Sequence, residues 1–262
     1  RLNLRWKKIS AIFISHTHAD HVTGLPGLLM LSSQVERDDP LYIYGPPRIA
    51  EYIETSRRVL DMYINYKIIV KEITEGGIVY QSDDFHVRSF ALRHTKSCFG
   101  YTLEEYNRPG EFHPERAKEL GIPMGPLWGR LQRGNSITLD NGRTVQPSEV
   151  VGTERRGRKF SFITDSLYFP EIAGEVRNSD LLICEGMFEQ ELEADAYEKK
   201  HMTAMQAAVI ARAAEVKQLG LIHYSPRYSN HELQILLDEA QKLFPQSVLT
   251  RDRMVFPLEF GD

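Results

Sequence analysis

The chain has 262 residues, 42% hydrophobic and 26% charged, with a formal net charge of −4; this is the make-up of an ordinary globular protein long enough to bury a sizeable core. Such a balance gives no chain-wide attraction to nucleic acid, and no apolar run nears the roughly 18 residues of a membrane span, so no membrane partner is expected. Two cysteines, Cys98 and Cys184, are too few for a disulfide framework and fit a reducing, cytoplasmic setting.

The opening RLNLRWKK lacks an initiator Met and a signal-peptide pattern, so the natural chain is expected to start earlier, with room for a targeting segment before it. Next comes a short β-rich run, ISAIFIS, that ends at His16. The same arrangement recurs along the chain: VRSFALR runs into His94, KFSFIT into Asp165, DLLIC into Glu185 and QLGLI into His223. Continuous apolar runs of this length predict strands buried on both faces, and polar side chains at their ends are where α/β proteins place their chemistry. Helical patterns lie between them. Pro46-Pro47 leads into RIAEYIETSRRVLDMY with Ile49, Ile53 and Leu60 on an apolar face. Thr203 is placed to cap AMQAAVIARAAEVKQ, which Gly220 would close, and Asn230 to cap ELQILLDEAQKLF, which stops at Pro245. Strands and helices mixed in this way predict an α/β fold.

Residues 107–151 break the pattern with a high density of Pro and Gly, then SITLDNGRTV, a predicted hairpin turning at Asn141-Gly142. We read this stretch as an arm inserted into a single domain spanning 1–262; so long an irregular segment in a compact protein is usually functional or disordered. From Tyr106 to Lys159 ten Lys/Arg face six Asp/Glu, a local charge of +4 that leaves −8 for the remainder. A basic region on an acidic body can guide a polyanion.

The densest signal is SHTHADH, residues 15–21, which sets His16, His18, Asp20 and His21 within six positions. On an extended strand end His16 and His18 point to one side, and once the chain turns, Asp20 and His21 reach the same space. Imidazole nitrogen and carboxylate oxygen are ligands for a borderline metal such as zinc. Adding the strand-end His94, Asp165 and His223 gives seven candidates, too many for one four-coordinate ion. With Asp165 bridging, they supply two ions with four protein ligands each, the arrangement used in phosphate-ester hydrolysis.

H-x-H-x-D-H at a strand end followed by His94, Asp165 and His223 resembles the metallo-β-lactamase superfamily. HADHVTGLPGLL, the YGP at residues 44–46, DLLICEGMF, HMTAMQAA and LIHYSPRY are similar to the ribonuclease Z family of tRNA 3′-processing endonucleases, as is IPMGPLWGRLQRG in the arm. The resemblance implies a four-layer αββα sandwich with a projecting, tRNA-binding exosite arm, two Zn2+ per chain (Mn2+ or another divalent ion being the alternative), a homodimer, precursor tRNA as substrate, and about fifty N-terminal residues lying before this sequence. It implies that His16, His18 and His94 hold one ion and Asp20, His21 and His223 the other, with Asp165 between them and Asp20 orienting the attacking hydroxide. It also implies that Glu185 and His201 form a carboxylate–imidazole pair that delivers a proton. Ser225 and Arg227 suit phosphate, and Arg130 and Arg133 beside Trp128, with Arg155, Arg156, Arg158 and Lys159 further on, suit an RNA backbone. Three stretches depart from the family pattern: Ala19 where Gly is usual, Cys184-Glu185-Gly186-Met187 where His-Glu-Ala-Thr is usual, and Ser166 where Thr is usual. The rival readings are a phosphodiesterase of the same fold acting on small esters or other RNAs, and an inactive RNA-binding or dimerisation module. His86, His113 and His231 are read as surface or packing residues, Cys98 and Cys184 as buried small apolar ones, and Gly24 and Gly27 as allowing tight packing beside the site.

Overall fold

The computed structural model describes residues 6–35 and 37–260; the first five residues of the RLNLRWKK opening lie outside them. In chain order the elements are β1 (Ala11–Phe13), α1 (Ala19–Val22), α2 (Leu25–Ser32), β2 (Leu41–Gly45), α3 (Ile49–Val59), β3 (Ile68–Glu72), β4 (Gly77–Gln81), β5 (Phe85–Arg93) and β6 (Ser97–Glu105). Then follow α4 (Pro114–Glu119), α5 (Pro126–Gln132), β7 (Ile137–Thr138) and β8 (Thr144–Val145). The chain closes with β9 (Lys159–Ile163), α6 (Ile172–Glu175), β10 (Leu181–Glu185), α7 (Glu193–Lys199), α8 (Ala204–Ala213), β11 (Leu219–Ile222), α9 (Leu233–Leu243) and β12 (Ser247–Leu249).

These elements form two compact units, one comprising the chain up to Glu104 together with Lys159–Pro257, the other Glu105–Arg158 together with the residues from Leu258. In the larger unit β1, β2 and β3 make a parallel sheet, with Ile12 opposite Ile43 and Ile43 opposite Val70. A second sheet has the order β12-β11-β10-β9-β6-β5-β4. Its β9–β12 half is parallel, as the buried, unalternating runs LLIC and LGLI require, and β6 pairs antiparallel with β9.

The two sheets face each other across Tyr44, Ile73, Val87, Phe99 and Tyr101, with Phe13 stacked on Tyr44 at 5.1 Å between centroids. Leu25 and Leu29 of α2 and Ile49 and Ile53 of α3 cover the far side of the first sheet. Ile172 of α6, the alanines of α8, and Leu236 and Ala240 of α9 cover the far side of the second, against Leu182, Leu219 and Leu221. The layers are therefore αββα, as expected.

Several helix limits differ from the sequence reading. Leu60 lies past the end of α3 and is 60% exposed. Thr203 does cap α8, in a reciprocal pair with Gln206, but the helix ends at Ala213, with Glu215 taking the left-handed backbone (φ 54°). Gly220 instead sits inside β11, where a Cβ would stand 2.5 Å from Ile183 Cδ1. It is a packing glycine and not a helix stop. At the start of α9, Ser229 and Glu232 bond reciprocally in place of Asn230.

The smaller unit has its own core of Ala117, Ile122, Leu131, Ile137, Val145 and Val150. β7 and β8 pair antiparallel, and Gly142 takes φ 81° while Asn141 Oδ1 accepts from the Arg143 N–H, as the predicted Asn-Gly turn demands. The unit is broader than residues 107–151, because Arg108 and Arg155 exchange backbone hydrogen bonds and Arg158 bonds Glu105 and the carbonyl of Leu258. No helix among the described residues is long and apolar enough to cross a membrane.

Candidate metal centre

Each run that ends in an ionisable residue becomes a strand, so five side chains arrive at strand ends: His16 after β1, His94 after β5, Asp165 after β9, Glu185 at the last position of β10 and His223 after β11. His18 precedes α1, and Asp20 and His21 lie within it. His201 follows Lys200, the left-handed residue (φ 64°) that ends α7. His223 also has left-handed backbone (φ 60°), a costly conformation for a residue with a side chain, and one that clusters at functional sites.

The seven ligand candidates converge, and they do so around the two oxygens of Asp165. On one side His16 Nε2 and His94 Nε2 lie 3.7 and 3.8 Å from Asp165 Oδ2, and His18 Nδ1 is 3.0 Å from His16 Nε2 and 3.2 Å from His94 Nε2. On the other, His21 Nε2 and His223 Nε2 are each 3.4 Å from Asp165 Oδ1, and Asp20 Oδ2 is 3.4 Å from His21 Nε2 and 3.8 Å from His223 Nε2. His16, His18, His94 and Asp165 bring one donor atom each within 4.8 Å of one another, and so do Asp20, His21 and His223. Asp165 thus stands between the two groups, with Oδ2 toward His16 and His94 and Oδ1 toward His21 and His223. A third set, Asp165, His201 and His223, meets the same limit, but His201 Nδ1 is already held by Glu185 Oε2 at 3.2 Å.

Electrostatics prepares these donors. Burial pushes His16 down to about 3, with the neighbouring His21 adding to the effect, and burial lowers His18, His94 and His223 as well. Neutral imidazoles keep the lone pairs that ligation needs. Burial alone would raise Asp165, but His21 and His223 hold its carboxyl well below the usual carboxylate range. His21 is the one ring raised, because Asp165 beside it outweighs its burial. Its Nε2 and His223 Nδ1 are buried without a hydrogen-bond partner.

Glu185 is fully buried, and burial pushes its carboxyl well above the usual range against the pull of the Ser166 and Met202 N–H groups. Burial pulls His201 down. His201 Nδ1 lies 3.3 and 3.2 Å from the two carboxyl oxygens of Glu185, so Nε2 is the ring nitrogen that Glu185 leaves free.

Several contributors were not visible in the sequence. Lys200 accepts at its carbonyl from His94 Nδ1 (2.9 Å), which fixes the tautomer that frees Nε2. Thr95 Oγ1 lies 3.4 Å from His18 Nε2, and Thr164 Oγ1 donates to Asp165 Oδ1 at 2.7 Å. Cys98, read as a plain buried residue, sits 3.6 Å from His16 Nδ1 and donates to the Asp165 carbonyl, while Ser15 Oγ is 3.2 Å from the same His16 nitrogen. Of the departures from the family pattern, Ala19 opens α1 with no positive φ, and a Cβ at Gly186 would lie 3.0 Å from Leu221 Cδ2 and 3.1 Å from Ala204 Cα. Gly24 and Gly27 do not have the packing role expected of them: a Cβ at either meets nothing within 4 Å.

The expected phosphate and RNA contacts are less concentrated. Ser225 is buried and its hydroxyl accepts from the Arg227 N–H, and the Arg227 guanidinium lies over Phe188 and 3.9 Å from Asp195. Arg130 and Arg133 are exposed on and just after α5. Trp128 is a core residue of the smaller unit, donating to the Ile122 carbonyl and packing on Phe112. Arg155 bonds the Pro109 carbonyl, Arg158 pairs with Glu105, and Lys159 with Glu104.

A family model described as a β-lactamase superfamily domain matches residues 2–113 and 131–224. Ribonuclease Z of Treponema denticola is 64% identical over 262 residues, all of this chain and 85% of that protein. The chain belongs to the ribonuclease Z family. More distant family members agree: ribonuclease Z of Borrelia hermsii is 42% identical over 96% of this chain and 81% of its own length. In fold, the short form of human tRNase Z matches with a TM-score of 0.67 at 22% identity, covering 98% of this chain and 82% of that one. A diphosphatase of the PhnP family matches at 0.59 and 15% identity over 97% and 73%. Likeness at those identities speaks for the fold alone, and the ribonuclease Z membership rests on the sequence relatives.

Proposed function

We infer that this chain is a metal-dependent endoribonuclease that removes 3′ trailers from precursor tRNA, leaving a 3′-hydroxyl on the tRNA and a 5′-phosphate on the trailer. The 64% identity to a ribonuclease Z over all of this chain and 85% of that protein carries the substrate assignment, and the convergence of six further donors around Asp165 supports the chemistry. The residues fit a pair of divalent ions: an unpartnered buried His21 Nε2 and crowded lone pairs of neutral imidazoles need a cation to relieve them. His16, His18 and His94 would hold one ion, Asp20, His21 and His223 the other, and Asp165 both; the N/O donor set suits zinc. Bound there, such ions lower the pKa of water and neutralise phosphate charge.

The chain's own groups do the rest. Asp20, the exposed member of the cluster, orients the attacking water in line with the P–O3′ bond. As that bond breaks, His201, aligned by Glu185 through Nδ1, donates from Nε2 to the departing 3′-oxygen. Arg130 and Arg133 would grip the tRNA backbone through the smaller unit, acting as the inserted arm, and Ser225 and Arg227 would lie along the phosphate path. The enzyme would act in the cytoplasm as a homodimer.

The test is to map the cut in a precursor tRNA with and without Asp165→Ala, alongside metal analysis. Wild type should cut at the trailer junction, carry two zinc ions per chain and outperform on tRNA any small phosphodiester. Cutting at the junction that survives loss of Asp165 would remove the assignment.

A further inference from the structure

His201 borders more than the metal centre. Its ring lies 5.2 Å from His94 and 5.3 Å from His223, and the same side chain lines a separate cavity of about 200 Å³ with Leu167, Tyr168, Glu193, Tyr197 and Gln206. Tyr168 is half-buried against the main core, and Tyr197 is 66% exposed. The polar side of the cavity is immobilised. Glu193 accepts from Gln206 Nε2 and Gln190 Nε2, both at 2.8 Å, and Gln206 Oε1 is itself held by the Thr203 N–H in the cap of α8. Leu167 is fixed by donating to the Arg93 carbonyl.

Two phenol rings, a leucine and a locked carboxylate–amide pair are the chemistry by which proteins hold an unstacked nucleobase, with rings against its face and polar groups on its edge. In-line displacement puts the attacking and departing oxygens on opposite sides of phosphorus. His201 protonates the departing oxygen, which belongs to the last nucleotide of the tRNA. On that reading the nucleotide would stand beside His201, the side chain that the cavity shares with the donor cluster.

We propose that this cavity binds the base of the nucleotide immediately 5′ of the cut, stacked on Tyr168 and Tyr197 with its exocyclic amino group donating to Glu193. The cavity would thus fix the cleavage register and favour A, C or G over U there. The proposal rests on the tRNA-processing reading above and deepens it.

The experiment compares three precursor tRNAs, one intact, one abasic at the last tRNA nucleotide and one abasic at the first trailer nucleotide, with wild type and with Tyr168→Ala/Tyr197→Ala. For wild type, removing the last tRNA base should lower kcat/KM roughly ten- to a hundredfold, the scale of one base–aromatic stack, and removing the trailer base should leave it unchanged. The double variant should cut the intact and the first abasic substrate at equal rates. Glu193→Leu, which removes the acceptor, should erase the preference for A, C and G over U. Each comparison is a ratio within one enzyme preparation, so partial loss of folded protein cancels. Wild type indifferent to the abasic site, a penalty that persists in the double variant, or coupling of the tyrosines to the trailer base would overturn the pocket. A wild type that cuts no precursor tRNA would overturn the function on which it rests.

Discussion

In the larger unit the ionisable side chains sit over an extensive alanine- and leucine-rich core, with His16, Asp165, Glu185 and His201 buried and only Asp20 exposed among the nine. The smaller unit closes over Ala117, Ile122, Leu131, Ile137, Val145 and Val150 and leaves Arg130 and Arg133 in solvent. The two settings suit different tasks. Hydrolysis of a phosphodiester needs groups whose protonation and position are set beforehand, which only burial and fixed neighbours supply. Holding a polyanion needs mobile, hydrated charge at the surface, where each contact is weak and salt-sensitive.

The sharpest way to break that contrast is to remove His201, the proposed proton donor. His201→Ala should lower turnover of precursor tRNA by about 10²–10⁴-fold, the usual contribution of general acid catalysis. Zinc content should be retained, since Glu185 and not a metal is taken as its partner. Loss of zinc along with activity would move His201 into the ligand set that it also satisfies with Asp165 and His223.

Next in size is the core of the smaller unit. Leu131 is fully buried there, and Leu131→Ala should destabilise that unit by about 2–5 kcal/mol. Hydrogen exchange should quicken among residues 105–158 and not in β9–β12. Uniform loss of protection across the chain would mean that the two units unfold as one.

A smaller effect is expected from surface charge. Arg130→Glu/Arg133→Glu should flatten the salt dependence of tRNA binding by about two units of slope, one per phosphate contact. An unaltered slope would take these residues out of the tRNA interface. Smallest is Thr203→Ala, which removes the α8 cap and should cost about 0.5–2 kcal/mol, read as a lower Tm.

Much of the metal centre was legible because strand ends announce themselves. An apolar run that stops at His, Asp or Glu fixes both the element and the position of the side chain, whatever the strand order. All five such runs became strands, and His201 and Glu185 lie within hydrogen-bond reach. What supports the centre was not legible. The acceptor that fixes His94 is the carbonyl of Lys200, 106 residues away, and a backbone atom carries no residue signature. Cys98 gains its place behind His16 only because β6 brings it there. Local features at helix ends were misjudged for a related reason. Asn230 and Ser229 are both good caps, and Gly220 is a plausible stop, until packing decides that Gly220 is needed inside β11 against Ile183.

Residue types along the chain were enough for the α/β class, the seven candidate metal ligands and the Asn-Gly turn of the smaller unit, because periodicity, ligand chemistry and positive-φ preferences are local properties. Tertiary structure alone decided that Asp165 offers one oxygen to each histidine group, that Lys200 sets the tautomer of His94, and that His201 is shared between the cluster and a second cavity. Those are distances between atoms far apart along the chain, and only folding brings them together.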